Sequence, residues 1–263
     1  MIDPLSAEAV EELRTAKRRL ETKGFATRLM DLAGARIEEG FELLPAKLKG
    51  GVLAASETSL RVATRVAVES LAPTSRGSAL DPRRWLDGDR SHQVAVTLAG
   101  GVGGAFGMVS LPIELPLTTL LMLRSIAQIG RAEGEDLGRP QAQLACVEVF
   151  ALGGTREAGY LEVRRLLARE VTEAAKYLAA DGVVDLDAPA IVRFIAKIAE
   201  CFGVSVSERA VAMALPIVGA LGGAGVNNAF ISHYQSLAHG HFVVRRLERR
   251  FGEEAVRRAY AAL

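Results

Sequence analysis

Few residues of this 263-residue chain have the chemistry to make a site. Glu114 stands between Pro112 and Pro116 in an otherwise uncharged run, and Arg124 follows on the same apolar segment. A charge in such surroundings is costly unless it is paired or placed at a turn. Glu114 is therefore expected at a bend, where it caps a neighbouring helix N-terminus or pairs with an arginine such as Arg124; a proton or ion site is the sharper alternative. Further on, Gly219, Gly223, Asn227, Tyr234 and His241 follow at spacings of four or seven and so share one helix face. His233 and His241 lie near a common side, whereas His239 points away from both. The tract His239-Gly240-His241 brings two imidazoles together only outside helical geometry, and no carboxylate or cysteine stands beside it at ligand spacing, so no metal is expected. Cys146 and Cys201 are far apart and form no CxxC pair. No nucleophile elbow, HExxH or phosphate-binding loop is present, and no cofactor is indicated.

The elements that position these residues are helical almost throughout. Leu5 to Leu20 and Ala46 to Leu71 carry apolar residues near 3.6 spacing. Ala72 to Arg90, with Pro73, Gly77, Pro82 and Gly88, reads as a linker or flap. Gln141 to Leu152, Thr155 to Ala180 and Asp187 to Phe202 follow as helices, the last opened by Asp187 as N-cap with Pro189 in its first turn. Ser205 precedes Glu208 in capping-box spacing, which predicts a new helix start there. No run alternates at period two beside hairpin turns. The fold class is all-α.

Two stretches, Ser91 to Ile113 and Ala210 to Ser232, contain no Asp, Glu, Lys or Arg and are loaded with glycine. Both have the length of a membrane span. In the first, Gly100 with Gly104 and Gly103 with Gly107 stand at small-xxx-small spacing, as do Gly219 and Gly223 in the second. Each glycine costs about 1 kcal/mol relative to alanine in a helix, so another backbone must pack closely to compensate. Prolines interrupt the first stretch, which predicts a hairpin with arms Val94 to Val109 and Pro116 to Ile129. At about 1.5 Å per residue each arm is shorter than a bilayer core of about 30 Å. The expectation is a compact helical bundle with two glycine-rich apolar hairpins at its centre, buried in protein or meeting lipid at the surface.

Composition sets further bounds. The formal net charge is +1 with 24% charged residues, so no global basic field favours nucleic acid, and the basic C-terminal stretch lacks interleaved aromatics. Arg246, Arg249 and Arg250 are candidates for anionic lipid head groups, each contributing about 1 kcal/mol near such a surface. The N-terminus has no apolar leader segment, and the cysteine pattern fits a reducing compartment. A cytoplasmic protein, peripheral to the inner face of the cell membrane, is the expectation.

The tract LPIVGALGGAGVNNAFISHYQSLAHGHFVVRRLERRFG, followed by EEAVRRAY, resembles the C-terminal signature of the EcsC protein family. SLPIELPLTTLLMLRSIAQIGRAEGED is similar to that family's central proline and arginine segment. The likeness covers the chain from about residue 45 onward, which divides it into N-terminal amphipathic helices over 1–44 and an EcsC-like domain over 45–263. The family takes its name from a protein encoded beside the components of an ABC exporter, and its biochemical activity is not established. The resemblance implies an accessory role at the membrane, with lipid or a membrane protein such as an ABC exporter as partner. It transfers no catalytic residues. Glu114, Arg124, Asn227, His233, His241 and Arg245 are expected to form an internal polar cluster or binding surface without catalysis. The rival reading is an enzyme acting on a lipid or other apolar substrate through Glu114 and a histidine as acid and base. A third, a pore-forming protein that inserts its hairpins, would show as leakage from liposomes.

Overall fold

The computed structural model describes residues 5–21, 46–71, 111–154, 159–181, 185–214 and 222–263. The described residues form helices and their connections, with no strand among them. In chain order these are α1 (Ala7–Leu20), α2 (Ala46–Leu71), α3 (Leu111–Ala132), α4 (Pro140–Leu152), α5 (Tyr160–Asp181), α6 (Pro189–Ala214), α7 (Gly222–Phe251) and α8 (Glu253–Ala262). The expected linker over 72–90, the arm Val94 to Val109 and Gly100, Gly103, Gly104, Gly107 and Gly219 lie outside the described residues.

At the middle of the described bundle lies α4, which packs against α2, α3, α5, α6 and α7. Every residue from Ala142 to Leu152 is buried, so this helix has no solvent face. Such all-round burial is what an apolar helix without a charged stripe requires. Phe150 of α4 anchors an aromatic cluster with Phe202 of α6 and Phe230 and Tyr234 of α7, ring centroids lying 5.1 to 6.3 Å apart. Within α2 and α3 the buried hydroxyls of Ser56, Ser59 and Thr119 bond carbonyls one turn back at 2.6 to 2.8 Å, so small polar residues are buried without a penalty for unmet hydrogen bonds.

Helices α3 and α7 run side by side in the same direction. Gln235 donates to Ser125 at 2.8 Å, Phe242 lies against Gly130, and Arg245 bonds Glu135, three contacts that ascend both chains together. The end of α3 is set by Gly134, whose φ of 80° is open to glycine. There the Glu135 N–H returns to the Gly130 carbonyl at 2.9 Å, which turns the chain so that Glu135 faces α7.

The sequence expectations fail at three boundaries. Ser205 does not start a helix: α6 continues through it, because Phe202, Val206 and Ala210 are all buried and extend the apolar stripe past it. Asp187 does not cap α6 either; its carboxylate meets Arg61 at 2.5 Å, and the helix begins at Pro189. Glu114 is not at a bend. It lies in the first turn of α3, which runs on through Pro116; lacking an N–H, that proline gives up the one helical hydrogen bond toward the Pro112 carbonyl.

Helix α1 packs mainly on α7, burying Ala9, Leu13 and Ala16. Ser6 caps it, its Oγ accepting from the Ala9 N–H at 3.2 Å. The approach is close at Gly240, where an added Cβ would lie 2.6 Å from Leu20 Cγ and 3.0 Å from the Ala16 carbonyl. Gly240→Ala gains about 1 kcal/mol of helix propensity but must move α1, at a cost of about 1–3 kcal/mol. Thermal unfolding of Gly240→Ala is expected to show net destabilisation, partly relieved when Leu20→Ala is added.

Candidate functional site

The six residues expected to cluster fall instead along a stripe. Glu114 and Arg124 are on α3; Asn227, His233, His241 and Arg245 are on α7. From Asn227 to Arg245 the stripe is about 27 Å long at 1.5 Å per residue. The structure resolves it into two buried polar groups, one near each end of the α3–α7 pair.

At the first end, Glu114 bonds Arg209 of α6, and both side chains are buried, the arginine with 0% exposure. Its Cζ sits 5.4 Å from the Phe230 ring centroid, a cation–π contact one turn along α7 from buried Asn227. Burial lowers the Arg209 pKa and Glu114 works in the opposite direction. The partner named from sequence, Arg124, is ten residues further along α3, about 15 Å away. It is partly buried, and burial lowers its guanidinium. Arg209 escaped the sequence reading because it borders the uncharged stretch that begins at Ala210; its place in an apolar helix was the available signal. Gly223 lies in the first turn of α7 at this same end.

At the second end the chemistry is denser. His241 is fully buried with Nδ1 3.1 Å from the Tyr160 hydroxyl and the two rings edge to face at 5.9 Å. Burial, then the charges of Arg245 and Arg164, drives His241 well below the usual imidazole value of 6.5. Arg164 of α5 donates to Glu248 of α7 at 2.5 Å and lies over the Tyr160 ring. Arg245 grips Glu135 through Nε at 2.8 Å and Nη2 at 3.2 Å, and Arg249 bonds the same carboxylate. Burial raises the Glu135 pKa, but these two arginines outweigh it and leave the carboxyl below its ordinary value. Cys146 is buried beside this group and its thiol is pushed up to about 12, so it is a packing residue rather than a nucleophile.

Glu148 was not singled out by the sequence. It is the one charged residue in the buried part of α4, set in the run CVEVF, where an unbroken apolar helix would have no use for a carboxyl. Burial raises its pKa, with Arg164 and Arg245 opposing and Glu248 assisting.

Glu114 and His241 do not form an acid–base pair. His241 is adjacent to Phe242, which contacts Gly130, and Gly130 is sixteen residues, about 24 Å, beyond Glu114 on α3. His233 is buried with its ring edge to face on Tyr234 at 5.4 Å. His239 instead lines a groove beside α1, so it diverges from His241. Among the described residues no group of three or more His, Cys, Asp or Glu is placed to hold a metal ion, and no helix is long and apolar enough to cross a membrane. Of the arginines considered for lipid, Arg246 is paired with Glu12 at 2.9 Å and Glu133 at 3.2 Å, and Arg249 with Glu135. Arg250 is exposed and packs over Phe251 at 5.0 Å.

Two outcomes follow from these partners. Glu114→Ala leaves the Arg209 guanidinium buried without a counter-charge and is expected to cost about 3–5 kcal/mol in denaturant unfolding, more than Glu114→Gln with Arg209→Met. Below 6.5 the unfolded chain protonates His241 and the folded chain does not, so its contribution falls as pH drops through 6.5 and is constant above it. Measured between about pH 7.5 and 5.5, the acid-side loss of stability should be shallower in His241→Asn, by up to about 1.4 kcal/mol per pH unit.

No curated protein and no solved structure matches the chain. A family match does, and it spans residues 7–247, taking in α1 as well as the two segments whose likeness is visible by eye. Covering nearly the whole bundle from α1 into α7, it shows that this chain belongs to the EcsC protein family.

Proposed function

We propose that the protein is a non-catalytic accessory protein acting at the cytoplasmic face of the membrane, in contact with lipid or with a membrane protein such as an ABC exporter. The observation that carries this reading is the convergence of the described ends of the two uncharged stretches. The described ends of those stretches are the start of α3, the end of α6 and the start of α7. Glu114 with Arg209, and Arg209 with Phe230, tie these three to one end of the bundle. Leu117, on the second turn of α3 at that end, is 49% exposed.

The arginine-rich end supports contact with lipid less well. Helix α7 has 30 residues and is about 45 Å long, so Arg249 and Arg250 lie far from its apolar start. Arg246 and Arg249 are engaged in ion pairs, and Arg257 and Arg258 both pair with Glu254. A charge already paired gives little to an anionic surface. The reading therefore has the apolar end meet the membrane.

Flotation of the purified protein with anionic and neutral vesicles tests it. Binding is expected to persist at high salt, to weaken about tenfold in Leu117→Glu on losing an inserted leucine and burying a charge, and to survive Arg250→Ser with Arg257→Ser and Arg258→Ser. Binding that is abolished by salt and by the arginine changes would refute contact through the apolar end, and absence of binding to both kinds of vesicle would refute lipid as the partner.

A further inference from the structure

Glu148 points to a second site, independent of the membrane reading. It is 4% exposed, yet among the described residues none makes a hydrogen bond or ion pair to its carboxyl. A buried carboxyl without a partner is costly and calls for an explanation. The explanation lies in what it faces: Glu148 lines a cavity of about 670 Å³ bounded by α4, α5, α7 and α8. The charged groups lining it are Glu162, Arg164 and Arg165 from α5, Arg245 and Glu248 from α7, and Glu253, Arg257 and Arg258 from α8, and of these Arg164, Arg245 and Glu248 act on Glu148. Leu161 and Val171 of α5 add apolar surface to the lining.

We propose that this cavity binds a small oxyanion, a carboxylate or phosphate monoester with a short apolar tail, between the guanidiniums of Arg164 and Arg245, with the protonated Glu148 carboxyl donating a hydrogen bond to it. The charge balance selects this class. With Glu148 neutral, the charges that act on it are two guanidiniums, Arg164 and Arg245, against the single carboxylate of Glu248. An ionised Glu148 would repel an anion at the point of contact, so binding takes up a proton to the extent that the free carboxyl is ionised. Burial already favours the neutral acid. Arg164 and Arg245 are oriented beforehand by Glu248 and Glu135, which keeps their donors in place at little entropic cost.

The volume suits a ligand of modest size. Shared oxyanion chemistry could come from a soluble metabolite or a lipid head group, and the length and number of tails separate them.

Isothermal titration of the full chain with hexanoate, hexyl phosphate, dihexanoyl phosphatidic acid, inorganic phosphate and hexylammonium tests the assignment. Hexanoate, ionised throughout, should bind one per chain and more tightly as the pH is lowered from about 8 to about 6. Inorganic phosphate should bind more weakly than hexyl phosphate for want of a tail. Preference for hexyl phosphate over dihexanoyl phosphatidic acid identifies a soluble source, and the reverse a lipid one; either supports the site. Glu148→Gln, a neutral donor at every pH, should retain hexanoate binding and lose its pH dependence. Hexylammonium binding in place of hexanoate, loss of hexanoate binding in Glu148→Gln, or no binding of any anion to the wild-type chain would overturn the proposal.

Discussion

The complete burial of α4 is the constraint on which the rest of the structure depends. A helix with no solvent face must be enclosed on all sides, and α2, α3, α5, α6 and α7 are the helices that enclose it. That arrangement fixes the aromatic cluster around Phe150 and sets the parallel course of α3 and α7. It also makes any charge on α4 expensive. Gln143 meets the demand by donating to the Leu137 carbonyl at 2.9 Å. Glu148 has no such partner among the described residues, and the nearby guanidiniums of Arg164 and Arg245 belong to other carboxylates.

Enclosing one central helix with longer ones leaves two ends of different chemistry. At one, three helix termini that border uncharged sequence are joined by Glu114 and Arg209. A buried ion pair of this kind adds little net stability, but it penalises any other register of α3 against α6. At the other end, Glu133 and Glu135 gather Arg245, Arg246 and Arg249, while Lys17 of α1 donates to the Tyr260 carbonyl at 3.0 Å. This cross-bracing ties α1 and the end of α3 to α7, and α1 to α8. It consumes much of the positive charge that the sequence displays.

The helical class was legible because apolar residues recur at 3.6 spacing, and the limits of α2 agree with its pattern. What sequence could not convey was which helices lie beside each other. Glu114 required an arginine, but the choice between Arg124 and Arg209 depends on α6 crossing the start of α3, a contact between residues 95 apart. Ser205 and Glu208 have capping spacing, but burial of their flanking residues overrode the local signal. His241 is buried, and its partner Tyr160 is 81 residues away and offered no motif. Glu148 was the most readable omission, since a lone carboxyl in an apolar helix is a conflict visible in one dimension.

The central claim is that the two ends have separate roles, with the uncharged one turned to the membrane. Hydrogen exchange with and without vesicles addresses it directly, because amide protection reports position along each helix. The account predicts that vesicles slow exchange in the first turns of α3 and α7 and leave α8 and the last turns of α7 unchanged. Protection confined to α8 and the last turns of α7 would contradict it.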